Sequence, residues 1–116
     1  MTDTNSNIEQ IEVSMEHAKA TIAKLSSMRK LNDNKDFQDI VLDGYFVKEA
    51  SRLVLLKADL AMQGEEEQKQ IDNSINAIGY VRQYFNTIIQ MGLMAERALV
   101  ADQETHSELL NEAVGG

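Results

Sequence analysis

The sequence predicts an all-α fold: a long antiparallel helical hairpin with an additional N-terminal helix, as a three-helix bundle or an extended coiled-coil-like arrangement. Three observations carry that prediction. Proline is absent from all 116 residues, and a chain rich in Ala, Leu, Ile, Glu, Gln and Lys without helix breakers favours long uninterrupted helices. No stretch alternates β-branched and polar residues as a half-buried strand would. Finally, Gly64 is followed at once by Glu65, Glu66 and Glu67. Glycine takes a left-handed conformation cheaply after a helix end, and carboxylates favour the positive end of the next helix dipole. A stop beside a start predicts a tight turn between antiparallel helices.

Residues 1–6 are polar and read as a flexible lead. A first helix is predicted over 8–31, capped by Asn5, Ser6 or Asn7. Its apolar residues Ile8, Ile11, Met15, Ala18, Ile22 and Leu25 are spaced alternately by three and four, the seam of a coiled coil. Arg29 takes the next seam position. This helix either packs onto the hairpin or projects to meet a copy of itself or another protein. So narrow a stripe suits the second reading, which makes Ile8, Ile11, Met15, Ile22 and Leu25 the candidate protein-interaction residues.

Asn32-Asp33-Asn34 breaks the pattern, because Asn and Asp compete with the helix for backbone hydrogen bonds. Asp33 is the expected cap, with Asp36 three residues on. The second helix is predicted over 35–62. Asp36, Asp39 and Asp43 share a face near its start and read as a solvated face rather than a metal site. Its middle is apolar on more than one side, so it needs two partners: the third helix, and either the first helix or a neighbouring subunit.

The third helix is predicted over 65–100, with Ile71, Ile75, Ile78, Val81, Phe85, Ile88, Gly92, Ala95 and Leu99 on one face. Its length of about 50 Å implies an elongated molecule. Folding at Gly64 brings Tyr45 and Phe46 level with Tyr80, Tyr84 and Phe85. It also sets Gly44 opposite Tyr84 and Gly79 opposite Ala50, small against large. The expected buried seam is Phe37, Val41, Tyr45, Phe46, Leu53 and Leu56 on one helix, with Ile71, Ile75, Ile78, Phe85 and Ile88 on the other. Arg82 is placed either to pair with Asp43 or Glu49 across the hairpin or to snorkel into water. Residues 101–116 form an acidic C-terminal segment that Thr105 and Glu108 are suited to cap. The whole reads as a single domain, 1–116.

The net charge is −8. Residues 1–35 hold five acids and five bases; 36–64 and 65–100 each hold five acids and three bases; 101–116 hold four acids and no base. An acidic tail on an acidic body repels phosphate backbones, so direct nucleic-acid binding is not expected. There are no cysteines, which excludes disulfide and thiol chemistry. The polar start does not resemble a signal peptide, and the most apolar run, Leu53–Leu56, is too short to span a bilayer; no membrane partner is expected. His17 and His106 are far apart, and neither follows a carboxylate in a ligand-type spacing. With no phosphate loop, zinc spacing or nucleophile elbow, no catalytic, metal-binding or cofactor-binding residue is predicted, and the chain reads as a non-enzyme.

Asp36-Phe37-Gln38-Asp39-Ile40-Val41-Leu42-Asp43-Gly44-Tyr45-Phe46, Ile78-Gly79-Tyr80-Val81-Arg82-Gln83-Tyr84-Phe85 and Ala95-Glu96-Arg97-Ala98-Leu99, with Glu104-Thr105 and Glu108-Leu109-Leu110 after them, resemble a group of small helical tailed-bacteriophage proteins, mostly described as hypothetical or structural. The resemblance covers roughly residues 34–112, leaves out the first helix and transfers no active-site residue. It implies a virion-associated or assembly accessory role in the virion or host cytoplasm. The implied partners are other phage structural proteins or the chain itself, as an oligomer or within a larger assembly. The charge supports a competing expectation: an acidic inhibitor or DNA mimic that binds a basic face on a host enzyme.

Overall fold

In a computed structural model of the chain, residues 2–115 are described, and among them every regular element is helical. Met1 and Gly116, the outer ends of the expected lead and tail, lie outside the described residues. Helix α1 spans Thr2–Asp33, α2 Lys35–Phe37 and α3 Ala50–Lys57, with a π-helical segment, Gln38–Glu49, between α2 and α3. A 3₁₀ turn, Leu60–Met62, precedes α4, Glu65–Gly115. The expected single domain divides into two packing units: residues 28–87, and residues up to Ser27 together with those from Ile88.

The unit of residues 28–87 contains the hairpin. Asn34, not Asp33, caps its first helical run: its side chain accepts a 2.9 Å bond from the Phe37 amide, and Gln38 Nε2 donates to the Asn32 carbonyl at 2.7 Å. The π segment explains why this run reads as apolar on several sides. Bonding from i to i+5 makes its turns wider than the ~3.6 residues of an α-helix. Phe37, Val41, Leu42, Tyr45 and Phe46 are therefore all half-buried. Gly44 belongs to this geometry, because a Cβ there would stand 2.8 Å from the Asp39 carbonyl oxygen, five residues back.

The turn is broader than the tight reversal expected at Gly64. The run ends at Lys57, and Asp59 is extended (φ −65°, ψ 129°) and caps the 3₁₀ turn through a 2.9 Å bond from the Ala61 amide. Gly64 lies outside the left-handed region; its carbonyl accepts the first bond of α4, from Gln68 N at 3.0 Å. Reversal instead rests on two glutamines. Gln63 Nε2 donates to the carbonyls of Lys57 and Asp59, and Gln68 Nε2 to those of Lys57 and Met62. They satisfy the orphan carbonyls that a helix end leaves.

Across this hairpin, Lys57 pairs with Asp72, and the Phe46 and Phe85 rings lie 5.8 Å apart, so the strands of helix run antiparallel. Leu53, Ile71 and Ile78 are buried. Phe85 is the centre of the aromatic cluster, with Phe37 at 5.9 Å and Tyr84 at 6.2 Å as well as Phe46. The expected small-against-large facing is not found: Gly79 has nothing within 4 Å of a Cβ, and Tyr80 and Tyr84 are exposed. The cross-hairpin ion pair belongs to Lys57 rather than Arg82, which is exposed.

The other unit joins α1, up to Ser27, to the second half of α4. Helix α1 begins at Thr2 rather than after a flexible lead. Glu12 meets His106, Ser14 meets Asp102, and Leu25 meets Gly92; one number rises as the other falls, so the pair is antiparallel. Leu25 is 1% exposed. A methyl at position 92 would overlap Leu25 Cβ and stand 2.8 Å from its Cδ2, which is why a glycine occupies the middle of a helix here. Ala18 is also buried. Ile8, Ile11, Met15 and Ile22 are half-buried on the same three-and-four spacing. Beyond Leu25 the alternation breaks, because the next buried residue is Met28, three positions on and 3% exposed, while Arg29 is exposed.

Helix α4 runs on through the break expected near residue 100. Its half-buried positions Leu99, Asp102, His106 and Leu109 keep the three-and-four spacing, and the two polar members find partners on α1. Thr105 does not cap a new helix. Its hydroxyl donates to the Ala101 carbonyl one turn back, at 3.1 Å.

Candidate interaction surfaces

Of the α1 stripe read as contacting a partner, Leu25 is buried and seated on Gly92 of α4, and Ile8, Ile11, Met15 and Ile22 are half-buried. Every residue of the expected hairpin seam is buried or half-buried: Leu53, Ile71 and Ile78 are buried, and Phe37, Val41, Tyr45, Phe46, Leu56, Ile75, Phe85 and Ile88 half-buried.

Fold contacts bring together one polar constellation that sequence spacing could not show. Ser14 Oγ donates to Asp102 Oδ2 at 2.7 Å, and His106 Nε2 lies 3.1 Å from Glu12 Oε1. Nucleophilic catalysis needs hydroxyl and imidazole bonded to each other. Here each engages a carboxylate instead, so the two pairs tie α1 to α4. Neither was findable from the sequence, since the partners are 88 and 94 residues apart. Asp36, Asp39 and Asp43 are exposed, and among the described residues no three His, Asp or Glu side chains gather where a metal could sit.

What remains is apolar surface. On the hairpin, Ile40, Val47, Val54 and Leu55 are between 56% and 73% exposed. Phe46, Val47, Ala50, Ser51, Val54 and Leu55 line a shallow groove that contains no charged side chain. Beside it Glu49 holds Arg52: its hydrogen bond first, and its charge second, push the guanidinium pKa further up. Tyr80 and Tyr84 are also exposed in this unit, as are Met91 and Met94 in the other. Residues 73–95 carry a single charged side chain, Arg82. Exposed Tyr and Met with few charges is the composition of a protein interface. A window count of charge would have found that stretch in the sequence.

No described helix is long and apolar enough to cross a membrane. Comparison with protein-family models, with curated proteins and with solved structures finds no match to this chain.

Proposed function

We propose that this chain is a non-enzymatic bacteriophage accessory protein that joins a virion or its assembly intermediates through helix-face contacts. The phage attribution rests on the resemblance of residues 34–112. The mode of action rests on one observation: over residues 73–95 a chain of net charge −8 shows a single charge, yet exposes Tyr80 and Tyr84 in one unit and Met91 and Met94 in the other. Apolar side chains left in water without flanking charge favour burial against a partner.

Mass spectrometry of phage particles purified from cells producing this chain tests the role. The wild-type chain is expected at a fixed copy number, and Tyr84→Glu or Met94→Glu is expected to lower it. Absence of the chain from particles and from assembly intermediates refutes it. The acidic-mimic reading draws support from α1, where Glu9, Glu12 and Glu16 line one groove with Val13 and His17. Salt separates the two readings: binding to a basic surface weakens steeply from low to high salt, whereas apolar contacts persist.

A further inference from the structure

Sulfur chemistry in this chain belongs to methionine alone. There are six methionines, no cysteine and no tryptophan, so the thioethers are its side chains most readily oxidised by two electrons. The fold sorts them by access. Met28 is 3% exposed, whereas Met91 and Met94 are 55% and 65% exposed; Met15 and Met62 are half-buried. Met91 and Met94 stand three positions apart in α4, which makes them neighbours on one side of the helix. The residues one turn to either side of the pair, Thr87 and Ala98, are short and exposed, so that side lies open to solvent.

We propose that Met91 and Met94 form a peroxide-sensitive pair, whose oxidation turns this side of α4 from apolar to polar while the fold stays intact. The thioether sulfur gives an electron pair to one oxygen of hydrogen peroxide. An S–O bond forms as the O–O bond breaks; the sulfur is oxidised by two electrons, and the other oxygen leaves as water with both protons. The product is a methionine sulfoxide, polar where the thioether was apolar. The inward contact at this level of α4 is Leu25 on Gly92, so the added oxygens enter water rather than the core. Met28 has no such access and reacts only when its surroundings open. Where the pair serves the assembly contact proposed above, its oxidation weakens that contact and enzymatic reduction restores it. That consequence rests on the proposed function; the site itself does not.

The test treats the full chain with dilute hydrogen peroxide and follows each methionine by peptide mass spectrometry over time. Met91 and Met94 are expected to oxidise about tenfold faster than Met28 or more, with Met15 and Met62 between them. Far-UV circular dichroism of the chain oxidised at Met91 and Met94 should match the untreated chain. Its retention on a hydrophobic-interaction column should fall, and the two stereospecific methionine sulfoxide reductases together should restore it. A chain carrying Met91→Leu and Met94→Leu keeps apolar side chains at both positions, so the same treatment should leave its retention nearly unchanged. Oxidation of Met28 as fast as of Met91 and Met94 overturns the proposal, as does loss of helix on oxidation of the pair. So does a double-leucine chain whose retention falls as far as the wild type's. None of these measurements needs a partner, so they decide the matter whether or not the chain is found in phage particles.

Discussion

Replacing Gly92 by alanine tests the packing of α1 on α4, because two effects of known size oppose each other there. In a helix interior alanine is favoured over glycine by about 0.8–1 kcal/mol. Gly92 is buried, however, and the added methyl would overlap the Cβ of Leu25. That atom is fixed to the α1 backbone and cannot swing aside as the tip of a long side chain would. Overpacking of this kind costs about 1–3 kcal/mol, so Gly92→Ala is expected to destabilise by about 1 kcal/mol net, and by no more than about 2. Gly79 is the internal control: it sits in the same helix with nothing within 4 Å of its would-be Cβ. Gly79→Ala should stabilise by about 0.8–1 kcal/mol. Urea denaturation followed by far-UV circular dichroism, at one fixed chain concentration, reads both. Adding Leu25→Ala should make Gly92→Ala neutral or stabilising, since the collision is then gone. If Gly92→Ala alone stabilises as Gly79→Ala does, the close approach of Leu25 and Gly92 is wrong.

Phe85→Ala removes the ring that Phe37, Phe46 and Tyr84 all contact; a loss of about 3 kcal/mol and collapse of the near-ultraviolet aromatic signal are expected in thermal melts. Gln68→Ala leaves the carbonyls of Lys57 and Met62 without a shared side-chain donor. It should cost about 1 kcal/mol and raise amide exchange in residues 58–64. A smaller effect than that of Gln70→Ala, whose amide reaches only Glu66 at 3.5 Å, would remove the glutamines from the account of the turn.

The helical class and the hairpin were legible because they depend on local signals: no proline, apolar residues at helical spacing, and acids just after Gly64. The inward residues of α4 could be read for the same reason, since one unbroken period runs through Ile71, Ile78 and Leu99. Three features were not legible. The π segment changes the period itself, so Phe37, Val41 and Phe46 look scattered when counted at α-helical spacing. The turn depends on Gln63 and Gln68, which have no turn propensity and act only through where their amides reach. The partner of α1 depends on matching two stripes about 70 to 90 residues apart, and a stripe does not say which other stripe it fits. Asp102 and His106 read as an interruption of α4 because the sequence does not show Ser14 and Glu12 waiting opposite them.

The pairing of Glu12 with His106 and of Leu25 with Gly92 also bears on how the protein is made. Residues 28–87 are consecutive, so their hairpin can close as soon as they leave the ribosome. Helix α1, synthesised first, must wait for residues 88–109 before anything native can cover Leu25 and Ile11. Long-range closure of this sort is slow and leaves oily surface open meanwhile. A nascent chain whose residues have emerged only as far as Gln90 would therefore carry a finished hairpin and an unsheltered leading helix. Chaperone capture and aggregation are expected to peak at that length and to fall once His106 has emerged.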